Sequence, residues 1–170
     1  MSKSLNVAVC QINPTLGNFQ TNLEIISKNY EYAVEKGADL VIFPEMSITG
    51  YPPQDLLNNK EFISQNISCL NELTKSTTIP CILGYVDVED NKKFNAAAVC
   101  QDGAIVYKYH KIHLPNYDVF DERRYFHSGD SVGIFHLKVN NYDYKIALQI
   151  CEDLWEDEYE RKISEEIIEN

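Results

Sequence analysis

Short apolar runs alternate with longer amphipathic segments through the first half of the sequence. Leu5–Ile12 has the composition of a β-strand, and apolar residues at helical spacing predict a helix from about Asn18 to Lys36. The almost continuously apolar run Ala38–Phe43 predicts a strand that is buried on both faces. A second helix is expected from Asp55 to about Lys75. Strands that alternate with helices place the chain in the α/β class, in which helices cover the faces of a sheet.

Both ends of the first predicted helix carry capping signals. Thr21 and Glu24 have the spacing of a capping box, in which each side chain accepts a hydrogen bond from the other residue's backbone N–H. Gly37 stands where a glycine commonly ends a helix, because it adopts the left-handed backbone conformation without strain. The second signal supports a helix that ends at Lys36.

Beyond Pro80 the pattern changes to that of strands and turns. Three strands are predicted, separated by polar turns: Cys81–Val86, Phe94–Val99 and Ala104–Tyr107. A loop from about His110 to Asp130 leads to a predicted hairpin. Its strands are Val132–Val139 and Tyr142–Ile150, joined by the turn Asn140-Asn141. Helical spacing resumes near Leu154, so the full pattern predicts an α/β protein with a mixed sheet.

The net charge of −11 arises mainly in the C-terminal segment. Residues 152–170 hold nine acidic and two basic side chains, which amounts to −7 of that total. A surface this acidic repels nucleic acid and anionic lipid, so neither is expected as a partner. No apolar stretch is long enough to cross a bilayer, and no apolar signal-peptide segment follows Met1. We therefore expect a cytoplasmic protein without a membrane partner.

The five cysteines, at positions 10, 69, 81, 100 and 151, form no CxxC pair. An odd number without that spacing argues against a disulfide framework or a zinc knuckle and favours a reducing compartment. Cys151 is the thiol placed for chemistry, because it follows the apolar segment Lys145–Ile150 and precedes a helical one. At such a turn a nucleophile is exposed, and the next backbone amides can bind an oxyanion. From position alone, a buried structural cysteine at a strand end is the alternative.

Two charged residues also follow predicted strands. Glu45 comes directly after Pro44 at the end of the second strand, where a partly buried carboxylate can act as a general base. Lys111 lies where a strand enters the long loop, and an ammonium there can stabilise negative charge on a carbonyl oxygen. A solvated turn glutamate and an ordinary surface lysine are the alternatives. Since residues that follow different strands meet at one edge of a sheet, Glu45, Lys111 and Cys151 are predicted to form one site.

Three longer segments resemble those of the nitrilase-like carbon–nitrogen hydrolases. The glutamate segment is Phe43–Leu57, and its Tyr-Pro-Pro-x-Asp-Leu-Leu ending is typical of the glutaminase domain of glutamine-dependent NAD synthetases. The lysine segment is Lys111–Phe126, and the cysteine segment is Ile150–Trp155. The motifs are long, occur in order and extend the resemblance over nearly the whole chain.

The resemblance implies a catalytic triad of Glu45, Lys111 and Cys151. It also implies an αββα sandwich of the carbon–nitrogen hydrolase type, incomplete at the C-terminus, that forms a homo-oligomer by pairing sheet to sheet. Residues 1–170 would be one truncated glutaminase domain that hydrolyses L-glutamine. The ammonia would pass to a synthetase domain or subunit, which makes NAD from deamido-NAD with ATP and Mg²⁺. No cofactor is expected in this chain itself.

The resemblance also implies a glutamine pocket. Residues that match Tyr117, Phe120 and Glu152 line it in the family, and Glu152 is placed to pair with the α-amino group of the substrate. Asp118 departs from the family pattern, which usually has glycine at this position. We expect this replacement to tighten or reshape the loop.

The sequence ends at Asn170 inside a helical pattern and without a capping signal, from which we expect a fragment. Strands and loops that would pack behind Cys151 are expected to be missing, so the isolated chain should hydrolyse glutamine poorly or not at all. Two alternatives stay open: a stand-alone nitrilase-type amidase for another small amide, and a non-catalytic remnant of a synthetase. Profiling amide substrates distinguishes the first, and reading the coding sequence beyond Asn170 distinguishes the second.

Other motifs are weaker. His110 and His113 are three residues apart on an extended segment, so their side chains point to opposite faces, and no metal site is expected. The glycines form neither GxGxxG nor GxxxxGK[ST], and no phosphate-binding loop is predicted.

Overall fold

The computed structural model describes residues 4–139 and 141–170. Asn140 of the expected hairpin turn and the N-terminal residues 1–3 lie outside the described residues. The helices are α1 Phe19–Glu35, α2 Lys60–Ser76 and α3 Ile163–Glu169. The strands are β1 Val7–Val9, β2 Leu40–Ile42, β3 Cys81–Glu89, β4 Lys92–Gln101, β5 Ala104–His110, β6 Gly133–Val139 and β7 Tyr142–Leu148. Short 3₁₀ turns are Gln54–Asn58, Glu122–Arg124, Cys151–Leu154 and Glu156–Glu158.

Strands β1 to β5 form one mixed sheet in the order of the sequence. The first three strands are parallel, whereas β4 is antiparallel to β3 and β5 is antiparallel to β4. The chain therefore leaves β1, β2, β3 and β5 at the same edge of the sheet. Strands β6 and β7 form a separate antiparallel hairpin. This arrangement confirms the predicted α/β class with a mixed sheet.

One face of the large sheet packs against α1 and α2. Ile26 of α1 and Leu70 of α2 are buried in one apolar cluster with Val41 of β2 and Leu83 of β3. Each such fully buried aliphatic side chain contributes about 1.5–3 kcal/mol to stability. The apolar residues at helical spacing in the sequence form the faces of α1 and α2 that contact the sheet.

The opposite face of the large sheet packs against the hairpin and α3. Ile82, Val99 and Tyr109 lie in a second apolar cluster with Leu137 of β6 and Ile163 of α3. A helix layer, a sheet, a second sheet and a further helix thus follow one another in the fold. These are the layers expected for the carbon–nitrogen hydrolase type of sandwich. Among the described residues, no helix combines the length and apolar character that crossing a bilayer requires.

The predicted start of α1 near Asn18 is confirmed, but its capping signal and the predicted start of α2 are wrong. Asn18 caps α1, since its side chain accepts a hydrogen bond from the Thr21 N–H, so the capping box predicted at Thr21 is wrong. Gly37 follows the helix with φ +76°, as predicted. The helix predicted from Asp55 begins only at Lys60, because the Asn59 side chain caps it there. The residues before Asn59 form a separate 3₁₀ turn.

The helix predicted near Leu154 is also placed wrongly. The 3₁₀ turns Cys151–Leu154 and Glu156–Glu158 occupy this region, and α3 begins only at Ile163. The Glu156 carboxylate accepts a hydrogen bond from the Ser164 N–H at 3.0 Å and thereby satisfies a donor in the first turn of α3. The apolar spacing from 154 onward therefore spans two turns and one short helix.

Candidate active site

The turn after β2 delivers Glu45 to the edge of the large sheet. It packs directly on Gly84 of β3, where an added Cβ would lie 2.4 Å from both the Pro44 carbonyl oxygen and the Met46 nitrogen. The Ile48 N–H also donates to the Gly84 carbonyl oxygen at 3.2 Å. Only glycine permits this close approach of the two backbones. Gly84 therefore determines how closely the turn that carries Glu45 lies against β3.

Glu45 belongs to a cluster of three charged side chains. The Lys111 ammonium donates to Glu45 Oε1 at 2.8 Å and to Glu122 Oε1 at 3.1 Å. Lys111 is fully buried and Glu122 nearly so, whereas Glu45 is partly exposed. The structure thus brings together Glu45 and Lys111, two of the residues singled out from the sequence, and adds Glu122 as a second partner of Lys111.

Burial and charge act in opposite directions on this cluster. Burial alone would lower the pKa of Lys111, but its attraction to Glu45 and Glu122 is stronger, so the pKa of Lys111 is raised. Burial also raises the pKa of Glu122, although the Lys111 ammonium opposes that change. Lys111 is therefore a permanent positive charge at neutral pH.

Two neutral side chains orient the carboxylates. Asn95 of β4 is fully buried, and its amide group donates to Glu45 Oε1 at 2.5 Å and to Glu122 Oε2 at 3.4 Å. The Tyr51 hydroxyl donates to Glu122 Oε1 at 2.9 Å. The Asn95 carbonyl oxygen of the main chain accepts from the Lys111 N–H at 2.9 Å. Each carboxylate of the cluster is consequently held by at least one uncharged side chain, and the backbone of Lys111 is held by that of Asn95.

Cys151 lies at the first position of the turn that follows β7. It is exposed, unlike Cys81 and Cys100. Partial burial and the negative charge of Glu45 raise the pKa of its thiol, and the Lys111 ammonium acts against them. The thiol is therefore protonated at neutral pH, and a base must remove its proton before it can act as a nucleophile.

Cys151 and Glu45 line the same cavity, which has a volume of about 180 Å³. The other walls come from both sheets and are mostly apolar: Ile42, Phe43, Pro44, Ile82, Gly84, Ala97, Leu148, Gln149 and Ile150. Apolar walls reduce local water, which strengthens electrostatic interactions between the groups inside. Glu45, to which the Lys111 ammonium is bound, thus shares one cavity with Cys151.

The backbone is strained at two places in this site. Met46 and Cys151 have φ values of +49° and +46°, in the left-handed region that favours glycine. For such residues this conformation costs about 1–2 kcal/mol. Strain of this kind persists only where surrounding contacts enforce it, and it is concentrated at functional sites.

A larger cleft, of about 630 Å³, adjoins the site on the side of Glu152. Its walls include Tyr117, Arg123, Trp155 and Tyr159. The Glu152 carboxylate is buried and accepts one hydrogen bond on each oxygen, from the Tyr117 and Tyr159 hydroxyls, both at 2.9 Å. Burial and Glu152 raise the pKa of Tyr159 to about 12, so this hydroxyl remains a donor at neutral pH.

Tyr117 and Glu152 thus line the cleft, whereas Phe120 packs against the Tyr117 ring with centroids 5.5 Å apart. The cleft and the smaller cavity have no lining residue in common. They are joined through the consecutive residues Cys151 and Glu152. Asp118 has φ +49°, in the left-handed backbone region. Glycine adopts this conformation without strain, and aspartate tolerates it.

The histidines bind other partners. His110 Nε2 lies 2.9 Å from Asp87 Oδ2, and His113 Nε2 lies 3.0 Å from the Arg161 carbonyl oxygen. Asp87 and His110 group with Glu89 so that their ligand atoms lie within 4.8 Å of one another. The Lys108 ammonium already contacts both of these carboxylates and supplies the positive charge there.

Reasoning from the sequence missed Glu122, Asn95 and Tyr159. Glu122 lies within the lysine segment, but the charged residues around it are typical of a solvated loop. Asn95 carried a usable signal, since it is a polar residue inside an otherwise apolar strand. Tyr159 lies in the segment for which helical spacing was predicted, and only the fold places its hydroxyl on Glu152.

A family model described as carbon–nitrogen hydrolase matches residues 6–169 of the chain. The glutamine-dependent NAD(+) synthetase of Thermotoga maritima is 41% identical over 156 residues, covering 90% of this chain and 26% of that protein. The enzyme of the same name from Acinetobacter baylyi is 36% identical over 154 residues, covering 90% of this chain and 28% of that protein. The chain therefore spans about a quarter of the length of these curated relatives.

Solved structures show the same fold. The glutamine-dependent NAD⁺ synthetase from Acinetobacter baumannii, in complex with ADP, superposes with a TM-score of 0.84 and 34% identity over 99% of this chain and 30% of that chain. An amidase from Nesterenkonia sp. superposes with a TM-score of 0.75 and 21% identity over 88% of this chain and 56% of that chain.

Proposed function

The chain belongs to the carbon–nitrogen hydrolase family, and we propose that it hydrolyses the side-chain amide of L-glutamine to supply ammonia for NAD synthesis. The observation that carries this proposal is the contact of the buried Lys111 ammonium with Glu45, beside the cavity that Glu45 shares with Cys151. The names of the relatives at 41% and 36% identity support glutamine as the amide.

In the first half of the reaction, Glu45 takes the proton of the Cys151 thiol and the sulfur attacks the amide carbon. The Lys111 ammonium and the Glu152 N–H stabilise the negative charge that develops on the carbonyl oxygen. Glu45 then gives its proton to the nitrogen, the C–N bond breaks and ammonia leaves. A glutamyl thioester remains on Cys151.

In the second half, Glu45 takes a proton from water and the oxygen attacks the thioester carbon. The C–S bond breaks, glutamate leaves, and the sulfur regains a proton from Glu45. This reaction starts from a protonated Cys151 thiol, which agrees with its raised pKa. Glu45 then begins each half of the reaction without a proton and accepts one, first from the thiol and later from water.

The larger cleft supports glutamine over a simple amide. Glu152 sits beside the nucleophile, and a fixed carboxylate there can pair with the α-ammonium group of an amino acid. Tyr117 forms a wall of the cleft, and Phe120 packs against its ring. Asp157 and Glu158 also line the cleft, so its carboxylates outnumber its one cation, Arg123, which also favours a cationic group.

The step that uses the ammonia requires a protein part other than this chain. We propose that the ammonia is used by a synthetase domain or subunit that binds ATP and Mg²⁺, and that the complete protein is a homo-oligomer. This chain spans 26% of the Thermotoga maritima relative, and the remaining three quarters of such a protein have room for that domain.

The proposal is tested by measuring glutamate formation from L-glutamine, with asparagine and propionamide as comparison amides. We expect slow glutamine turnover that Cys151→Ala abolishes and Cys69→Ala leaves unchanged. A rate on propionamide equal to or above that on glutamine would instead favour a general amidase. No Cys151-dependent release from any amide would contradict the proposal.

A further inference from the structure

Asp153 lies two residues after Cys151 and is fully buried. Its carboxylate accepts four hydrogen bonds, two on each oxygen. Oδ1 accepts from the backbone N–H groups of Ile112 at 3.1 Å and His113 at 2.8 Å. Oδ2 accepts from the Ile150 N–H at 2.9 Å and from the Tyr109 hydroxyl at 2.7 Å. A carboxylate has about four acceptor positions, so this one is fully used by the protein.

Two of the contacts of Asp153 enclose Cys151. Its carboxylate binds the N–H of Ile150, and its own N–H donates to the Ile150 carbonyl oxygen at 3.1 Å. Cys151 is thereby held between two residues that are linked in both directions. This linkage accounts for the φ of +46° at Cys151, because a strained backbone persists only where neighbouring contacts enforce it.

The other contacts reach the segment that carries Lys111. Ile112 and His113 directly follow Lys111, and Tyr109 precedes it by two residues. Burial and the Asp153 carboxylate raise the pKa of Tyr109 far above neutral pH, so its hydroxyl is a constant donor. One carboxylate therefore joins the turn of Cys151 to the Tyr109 side chain before Lys111 and to the backbone directly after it.

We propose that Asp153 is a positioning residue that sets the Cys151 sulfur in register with the Lys111 ammonium and the Glu45 carboxylate. This inference rests on the proposed function and adds a residue that does not contact the substrate. The geometry explains why the side chain must be short and must offer acceptors on both of its oxygens. An amide at this position would turn an NH₂ group toward the Ile150 N–H, and two donors would then face each other.

The experiment compares two reagents on Cys151 by mass spectrometry. Iodoacetamide reports exposure and ionisation of the thiol. The glutamine analogue 6-diazo-5-oxo-L-norleucine also requires alignment of the site, and excess glutamine should protect against it. For Asp153→Asn we expect the analogue rate, divided by the iodoacetamide rate, to fall by about tenfold to a hundredfold, the effect of a small misplacement of reacting groups.

Asp143→Asn is the matched control. Asp143 is an exposed aspartate of β7 that pairs with His136, so the ratio should be unchanged there. An Asp153→Asn chain with a lower melting temperature but an unchanged ratio would show a purely structural role and overturn the inference. Absence of glutamine-protected labelling in the unsubstituted chain would overturn the proposed function as well.

Tyr109→Phe keeps the inference testable if Asp153→Asn does not fold. It removes one of the four donors and preserves the ring within the core. The ratio should fall by about threefold, which corresponds to the loss of one ordinary hydrogen bond. A ratio equal to that of the unsubstituted chain would contradict the role given to Asp153.

Discussion

At the scale of single residues, position in the sequence was informative where a side chain follows a strand. Glu45, Lys111 and Cys151 could be singled out because each follows a predicted strand. The expectation that all three follow strands of one sheet holds only for Glu45 and Lys111, which follow β2 and β5 of the large sheet, whereas Cys151 follows β7 of the separate hairpin. Glu122 could not, because its role depends on the path of a loop that brings it to Lys111. The sequence also did not show the burial and the neighbouring charges that shift the pKa values of Lys111 and Cys151.

We expect Cys151 to react with iodoacetamide before the other four cysteines. Burial raises the pKa of all five thiols, so accessibility decides the order. Cys151 alone among the five is exposed, and Cys81 and Cys100 are buried. Peptide mapping after brief alkylation measures the order. Earlier labelling of Cys69 or Cys100 in the folded protein would show that Cys151 is not at an open site.

The pH dependence of that reaction reports the charges around Cys151. Glu45 raises the pKa of the thiol and Lys111 lowers it. The midpoint of the alkylation rate against pH should therefore move down in Glu45→Gln and up in Lys111→Met. Glu24→Gln, on the exposed side of α1, should leave the midpoint unchanged. Equal midpoints in all four proteins would rule out the assigned electrostatic environment.

At the scale of elements, strands were predicted more accurately than helix starts. Apolar runs mark β2 and β3 directly, since both are buried on the two faces of the sheet. Helix starts depend on which polar side chain caps the first turn. Asn18 caps α1 in place of Thr21, and the cap at Asn59 makes α2 begin later than the predicted Asp55. The turn Cys151–Leu154 depends on contacts of Asp153 with residues that are remote in sequence, and such contacts leave no periodic signal.

Gly84→Ala tests how β3 supports the turn of Glu45. The added Cβ would displace the Pro44 carbonyl and the Met46 nitrogen, and overpacking of this kind costs about 1–3 kcal/mol. We expect a lower free energy of unfolding in urea together with slower labelling by the glutamine analogue. Gly103→Ala is the control, because its Cβ would meet nothing closer than 3.9 Å and only its backbone is strained. Unchanged labelling in Gly84→Ala would contradict the role of this contact.

At the scale of the whole molecule, β1 is an edge strand of the large sheet with an exposed apolar side. Val9 is 71% exposed and Val7 is 44% exposed. An edge strand offers unpaired backbone groups to another chain, and apolar side chains strengthen such pairing. This chain covers only 26% and 28% of the two relatives, so in a protein of that length this edge has further chain available to cover it.

We expect the 170-residue chain to associate through this edge as its concentration rises. Val9→Lys should reduce the association, because a charged side chain on an edge strand opposes pairing. Ile168→Lys is the control, since Ile168 is equally apolar and exposed but lies on α3, where backbone groups are used within the helix. Light scattering over a range of concentrations measures the effect. An equal reduction by both substitutions would indicate general hydrophobic association instead.

The central claim is that Cys151 is a nucleophile assembled with Glu45 and Lys111 for the amide of glutamine. Labelling with 6-diazo-5-oxo-L-norleucine, followed by peptide mapping, tests it most directly because a single reaction event is recorded. The account predicts one adduct, on Cys151, that excess glutamine prevents and that forms far more slowly in Glu45→Gln. An adduct on another residue, or no adduct in a folded chain whose Cys151 still reacts with iodoacetamide, would contradict it.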